Sequence, residues 1–220
     1  MTLGQNCHLQ VVTVEESAPS RSKVGKVVPD KSSSSPPPIG DEPAAANDST
    51  AEQGPAITLR DGVVVDVRRL SVADFDSVVA LADSLSDDER YLRFFTVHPR
   101  GVVDWATSQT KPAEGMVALG AYDHGELVGV ANYATSKEPG QAEIAVLVAH
   151  DQHDRGVGTA LLAELIRMAK LHGQRHLVAD VLAENYAMRR VIIDSQIPVT
   201  WHRDGSVFNL EIDLDALGGS

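Results

Sequence analysis

The sequence predicts a mixed α/β fold, and three patterns support this prediction. Two apolar segments, 116–122 and 126–135, flank Asp123-His124-Gly125, which is typical of two strands joined by a tight hairpin turn. Apolar residues between 157 and 169 recur at the spacing of one helix face. From about residue 59 onward the segments follow in the order strand, helices, hairpin, strand, helix, strand, helix, hairpin, which indicates a sheet flanked by helices.

The elements before the hairpin are predicted from alternation and from capping signals. Valines alternate with other residues at 63–67, which indicates a strand. A serine followed three residues later by an acidic residue occurs at 71–74 and again at 86–89, and this spacing is typical of a helix N-terminus. We therefore expect one helix that ends near residue 85 and a second, short helix directly after it.

The elements after the hairpin alternate between strand and helix. Residues 141–149 are predicted to form a strand, and a polar loop separates it from the helix that begins near residue 157. Gly173 follows that helix where a C-terminal cap is expected. The remaining predicted elements are a strand, a helix and a closing hairpin, at His176–Leu182, Asn185–Asp194 and 198–214.

Residues 1–56 differ in composition from the rest of the chain. They contain SSSSPPP at 32–38 and DEPAAANDST at 41–50, and they have no aromatic residue. Such a segment buries too little apolar surface to offset the entropy lost on ordering. The sequence therefore predicts a disordered tail over residues 1–56, followed by one domain over residues 60–216.

Composition and charge exclude several classes of function. The net charge of the 220 residues is −12 and is spread along the chain, so no basic face for a nucleic acid is expected. Cys7 is the only cysteine, which excludes a disulfide framework and a zinc site built on cysteines. The chain begins without the pattern of a signal peptide, and its apolar runs are too short for a membrane helix. We therefore expect a cytoplasmic protein that binds neither nucleic acid nor membrane, as a monomer or dimer.

A glycine-containing loop between the strand at 141–149 and the long helix has the features of a phosphate site. Gly156 and Gly158 stand at the helix start, where unpaired N–H groups and the helix dipole attract phosphate oxygens. Arg155 adds a positive charge and Thr159 a hydroxyl group. Alone the pattern is weak, since glycines before helices often only ease a turn. No lysine follows as in a P-loop, and the third glycine of a dinucleotide fingerprint is replaced by Leu161.

Three segments together resemble the GNAT acetyltransferase superfamily. Apart from its first position, the loop matches the acyl-CoA signature [Q/R]-x-x-G-x-[G/A], and the run AEIAVLVAHDQHDRGVGTALLAELIRMAK resembles that family's strand, pyrophosphate loop and helix. LAENYAMRRV resembles its second cofactor motif, with Asn185 and Met188 in the expected places. SLSDDERYLRFF at 84–95 resembles a segment typical of bacterial GNAT protein lysine acetyltransferases. The resemblance covers residues 61–216.

The resemblance implies a GNAT fold, a mixed and mostly antiparallel sheet flanked by helices, with acetyl-CoA as co-substrate. It implies that acetyl-CoA contacts the backbone of a splayed strand, the pyrophosphate loop and the second motif, at Ala145, Val146, Leu147, His153, Asp154, Arg155, Gly156, Val157, Gly158, Thr159 and Asn185. His153 replaces the usual Gln or Arg, and Asp154 brings a negative charge towards the phosphates. Ile192 occupies the place where many relatives have a tyrosine general acid.

Glu143 is the candidate catalytic carboxylate. It stands in an otherwise apolar strand, on the face opposite to Ile144. From spacing alone, a glutamate facing water on an edge strand is equally consistent. The resemblance implies that Glu143 is the general base, which a lysine acceptor needs because its amine, with a pKa of about 10.4, is protonated at neutral pH.

Three functions stay open at this point. A protein lysine acetyltransferase is favoured, and an acetyltransferase for a small amine is the alternative. A CoA-binding regulatory module without catalysis is the third, although the presence of Glu143 argues against it. Asn132 and Tyr133 are predicted to lie on a strand that faces the acceptor cleft, with packing an equally good interpretation.

No metal site is predicted. His150 and His153 lie in a loop, and His172 and His176 lie on either side of Gly173. Neither pair has a third ligand nearby in the sequence.

Overall fold

The computed structural model describes residues 54–94 and 101–218. Residues 1–53 of the predicted tail therefore lie outside the described residues. Gly54 and Pro55 lead into a short strand that begins at Ala56 and that the sequence did not predict.

The described residues form one sheet of eight strands in the order β1-β2-β3-β4-β5-β6-β8-β7. Neighbouring strands are antiparallel except for β5 and β6, which are parallel. This arrangement confirms the predicted mixed, mostly antiparallel sheet. The strands are β1 (Ala56–Thr58), β2 (Val64–Arg69), β3 (Met116–Asp123), β4 (Glu126–Thr135), β5 (Gln141–Val148), β6 (His176–Leu182), β7 (Thr200–Asp204) and β8 (Val207–Asp213).

Helices pack on both faces of the sheet and bury two apolar clusters. One cluster joins α4 to the sheet, and its centre contains Leu161, Leu165 and Ile212. The other joins α1 and α3 to the opposite face, around Val78 and Val130. The helices in the described residues are α1 (Phe75–Asp83), α2 (Asp87–Phe94), α3 (Val102–Thr110), α4 (Val157–Leu171) and α5 (Tyr186–Ser195).

The predicted capping signals and hairpin turn are confirmed. Ser71 N and Oγ donate to Asp74 Oδ2 at 2.8 and 2.9 Å, and a short 3₁₀ turn links this cap to α1. Ser86 and Glu89 form the second capping box at the start of α2. The hairpin turn between β3 and β4 places His124 and Gly125 at φ of 49° and 87°. Such a turn follows the twist of the two strands, which is why residues of this type mark hairpins.

Helix α3, like β1, was not predicted. For Tyr133 the sequence left two interpretations open, the acceptor cleft and packing. The structure shows packing: Tyr133 lies opposite Ile144 and is buried in the α4 cluster, with 2% of its surface exposed. Because side chains alternate along a strand, Tyr133 and Asn132 cannot share a face, and only Asn132 points towards α2. No helix within the described ranges is long and apolar enough to span a bilayer.

Candidate active site

The candidate active site begins where β5 and β6 separate. These strands pair only at Gln141↔His176, Ala142↔Leu177 and Glu143↔Val178, whereas β4 pairs with β5 as far as Val148. Beyond Glu143, the edge of β5 on the β6 side therefore has no strand partner in the part of the chain that the structure describes. The splayed strand expected at Ala145–Leu147 is present, and its free edge can hydrogen-bond a ligand.

The N-terminus of α4 lies beside this opening. Gly156 precedes the helix at φ 100°, in the left-handed region that favours glycine, and Asp154 has φ 64°. Within the described residues no side chain caps α4, and its first turn contains no acidic residue. The first N–H groups of this 15-residue helix are therefore available to an anion.

A cleft of about 390 Å³ connects the splayed strand with the start of α4. Its walls also include α2 and the first turns of α5. The lining contains nine of the residues predicted to bind acetyl-CoA: Val146, Leu147, His153, Asp154, Gly156, Val157, Gly158, Thr159 and Asn185. Ala145 lies on β5 just outside the lining, on the face that α2 covers.

Arg155 does not point into the cleft. Its Nε lies 2.6 Å from Asp61 and its Nη1 lies 3.0 Å from Asp123, and it also hydrogen-bonds Gln152. The hydrogen bond from Arg155 holds the pKa of Asp61 below its ordinary value. In this structure Asp61 and Asp123 therefore hold the guanidinium away from the cleft, and the contact of Arg155 with acetyl-CoA stays a prediction.

Two arginines that sequence reasoning missed line the cleft instead. Arg60 Nη1 is 3.0 Å from Asp194, and Arg190 Nε is 3.6 Å from Asp154 and 3.5 Å from Asp194. Arg190 lies within the second motif, so the sequence could have predicted that it lines the cleft. Arg60 is far from the loop in sequence, and no sequence pattern connects it with the cleft.

Glu143 lies on the opposite face of β5 from the α4 cluster, where α2 packs over the strand. It is half-buried, and the positive charge of Arg93 lies close enough to interact with it. Arg93 Nη2 donates to Asn132 Oδ1 at 3.4 Å, and its guanidinium lies 5.7 Å from the ring centre of Trp105. Burial lowers the pKa of Arg93 to about 10, and Glu143 opposes that shift.

Comparison with known proteins supports the assignment that this geometry suggests. The model of the acetyltransferase (GNAT) family matches residues 66–192, which is more than half of the chain and spans the splayed strand, the loop and α5. The chain belongs to the GNAT acetyltransferase family. This GNAT protein is therefore an acetyl-CoA-dependent N-acetyltransferase.

Individual relatives agree with this assignment. The GNAT protein is 31% identical over 138 residues to the acetyltransferase PA5475 of Pseudomonas aeruginosa, covering 60% of this chain and 74% of the relative. It is 30% identical to the GNAT domain of Streptomyces lividans PAT, with a TM-score of 0.66 and coverage of 72% of this chain and 96% of that domain. A cAMP-binding acyltransferase from Mycobacterium smegmatis shares the fold at 20% identity, with a TM-score of 0.53 and coverage of 74% and 48%.

The two motif glycines of this GNAT domain have different structural roles. Gly156 takes the left-handed conformation, and a Cβ built on it would meet no atom closer than 3.6 Å. Gly158 is helical, and a Cβ there would lie 2.8 Å from Val191 Cγ2 on α5. Gly158 therefore permits close packing of α4 against α5.

Asn185 Oδ1 caps α5 by accepting from Met188 N at 2.9 Å.

The two histidine pairs of the GNAT domain differ in their surroundings. His172 Nδ1 contacts Tyr133 Oη at 2.5 Å, and His176 pairs with Glu211 at 3.1 Å, so these two histidines have separate partners. His150 and His153 lie together, and α2 brings Glu89 beside them. The third potential ligand that the sequence could not place is thus present in the fold.

Proposed function

We propose that this enzyme transfers the acetyl group of acetyl-CoA to the side-chain amine of a protein lysine, with Glu143 as general base. The observation that carries the proposal is the position of Glu143 at the last paired residue before β5 separates from β6. This position places a half-buried carboxylate next to the opening in which the thioester would lie. The similarity to the GNAT domain of PAT supports the coarser part of this proposal, the transfer of an acetyl group from acetyl-CoA.

The residues lining the cleft fit acetyl-CoA. The uncapped N–H groups of α4 would bind the pyrophosphate, and the free edge of β5 after Glu143 would hydrogen-bond the pantetheine arm. Arg60 and Arg190 would offer positive charge to the phosphates once these displace Asp194 and Asp154 as partners. Before the phosphates bind, Arg190 offsets the negative charge of Asp154.

The proposed reaction is a direct transfer. Glu143 accepts a proton from the lysine ammonium, and the free amine attacks the thioester carbonyl. A C–N bond forms and the C–S bond breaks, and the CoA thiolate leaves and takes up the proton that the new amide nitrogen loses. Backbone N–H groups of β5 would stabilise the developing oxyanion, for which one donor contributes about 3 kcal/mol. Ile192 is buried in the core with 1% of its surface exposed, so this position supplies no acid.

The choice of a protein lysine as acceptor rests on α2. The segment at 84–95 is the one that resembles bacterial protein lysine acetyltransferases, and its described part forms the α2 wall of the cleft. Arg93 in this wall interacts with Glu143. The resemblance therefore lies in the wall that an acceptor would contact.

Release of the CoA thiol, measured with acetyl-CoA and different acceptors, tests the proposal. We expect release to depend on a lysine-containing protein and to stop when its lysines are blocked by methylation. Faster release with small amines than with the protein would overturn the assignment of the acceptor. Tight acetyl-CoA binding without release for any amine would indicate a regulatory module and overturn the catalytic assignment.

A further inference from the structure

We propose that Glu89, His150 and His153 form a binding site for a zinc ion at the mouth of the cleft. One potential ligand atom from each residue lies within 4.8 Å of the other two. His150 Nδ1 is 2.8 Å and His153 Nε2 is 3.9 Å from Glu89 Oε1. Two ligand atoms at about 2.0–2.1 Å from a tetrahedral zinc ion lie about 3.3 Å from each other. One of the two distances to Glu89 Oε1 is shorter than this value and the other is longer.

The type of ligand selects zinc over the hard cations. Two imidazole nitrogens and one carboxylate oxygen form a common zinc ligand set, whereas calcium and magnesium need mostly oxygen ligands. Asp87 and Asp88 in the same helical turn as Glu89, and Asp151 next to His150, add negative charge that attracts a cation. Three protein ligands leave a fourth position for water.

Glu89 is oriented in advance by its own capping box. Its Oε2 accepts hydrogen bonds from Ser86 N at 2.9 Å and Ser86 Oγ at 2.8 Å, so Oε1 is directed to the histidines. Burial raises the pKa of Glu89, but the bonds from Ser86 and His150 more than offset this effect and keep it below its ordinary value. Partners of this kind, which fix a ligand's orientation, are typical of metal sites.

The two histidines can bind the metal without a change of the backbone. Their ring centres lie 5.3 Å apart, and the side chain of His150 is exposed, so an ion can reach the site from solvent. His153 Nε2 now lies 3.3 Å from Val148 O, and metal binding requires that His153 carry its proton on Nδ1 instead. The bound ion would join α2 to the loop between β5 and α4 and fix the wall of the cleft.

A zinc titration of the full chain against a chromogenic chelator, without acetyl-CoA, tests this inference independently of the proposed function. Cys7→Ser, His8→Asn and His98→Asn are introduced into every protein, because these three residues can bind zinc and lie outside the described residues. We expect about one zinc ion per chain. Glu89→Gln and His150→Asn should weaken binding by more than the roughly 10–100-fold that the loss of an outer-shell partner costs.

His124→Asn and His202→Asn are the matched controls, since both histidines are exposed and lie outside the cluster. They should bind zinc like the parent. Circular dichroism spectra that match the parent would show that the Glu89 and His150 variants are folded. Equal zinc affinity in these variants and the parent, or no zinc uptake by the parent, would overturn the proposal. Absorption of bound Co²⁺ in the visible range should indicate four-coordinate geometry, and a six-coordinate spectrum would contradict it.

Discussion

Arg93 places a positive charge next to Glu143 on the face of the sheet that α2 covers. The charge favours the ionised carboxylate, which is the form that can accept a proton. It also makes the carboxylate a weaker base.

Arg93→Met should move the acidic limb of the kcat/KM profile to higher pH, because Glu143 then holds its proton more tightly. At pH values on that limb we expect a loss of about tenfold. Arg93→Lys keeps the charge and serves as the control, with the limb unchanged. If Met and Lys variants have the same profile as the parent, the charge of Arg93 does not act on the base.

At the scale of elements, the start of α4 depends on its contact with α5. A Cβ at residue 158 would lie 2.8 Å from Val191, whereas a Cβ at residue 156 has space but an unfavourable φ of 100°. Gly158→Ala should lower the free energy of unfolding by about 1–3 kcal/mol through overpacking. Val191→Ala should recover about 1 kcal/mol of this loss in a double-mutant cycle measured by urea denaturation.

Gly156→Ala provides the contrast. Its cost comes from backbone strain, of about 1–3 kcal/mol, and Val191→Ala should not recover it. Recovery in both pairs, or in neither, would show that the two glycines do not have the separate roles assigned here.

Helix α1 is attached to the sheet through Asp74. Arg68 donates to both oxygens of this buried carboxylate at 2.7 and 3.0 Å, and Tyr122 Oη donates at 2.7 Å. Burial alone would raise the pKa of Asp74, but the hydrogen bonds from Arg68, Tyr122 and Ser71 hold it well below its ordinary value.

Asp74→Asn should lower the free energy of unfolding at neutral pH by about 3 kcal/mol. Because the folded-state pKa lies below the unfolded value of about 3.9, this contribution is present above that pH and is lost as the pH falls below it. Denaturation curves at several pH values measure the difference. Asp76→Asn, an exposed change in the same helix, should have little effect. A loss for Asp74→Asn that persists unchanged in strong acid would contradict this interpretation.

Local signals account for the elements that could be predicted from sequence. Capping boxes at Ser71 and Ser86 and the hairpin turn at Gly125 involve residues within a few positions of each other. Helix α3 lacked such a signal, and the β-branched residues in VVDWATSQT lower its helix propensity. This helix is stabilised by its packing against α1, which the local sequence does not reveal.

The candidate site could be predicted only where its residues are close together in the sequence. The strand, the loop and the start of α4 are continuous in sequence, and most of the predicted residues there line the cleft. The partner of Arg155, Asp61, is 94 positions away, and Glu89 lies 61 positions from His150. The ion-pair partners of long charged side chains depend on which residues the fold brings together. A local sequence pattern therefore cannot predict these partners.

At the scale of the whole molecule, the sheet has two parts that separate at β5 and β6. Strands β1 to β5 form one continuous antiparallel unit, and β6 to β8 form another, joined by three residue pairs. The cleft opens at this junction, with α2 on one side and the N-termini of α4 and α5 on the other. The cleft is thus lined by β5 at the edge of the first part and by α5, which follows β6 in the chain, and Glu143 belongs to the last residue pair between the two parts.

The pH profile of Glu143→Gln most directly tests the claim that this carboxylate drives the transfer. At neutral pH we expect turnover to fall by about 10²–10⁴ while the Kd for acetyl-CoA stays unchanged, since Gln is nearly isosteric and only proton abstraction is lost. The defect should shrink towards pH of about 10, where the lysine amine loses its proton unaided. Glu138→Gln, in the exposed turn before β5, is the control and should match the parent. A variant profile that runs parallel to the parent across this range, or a loss in Glu138→Gln instead, would contradict the account.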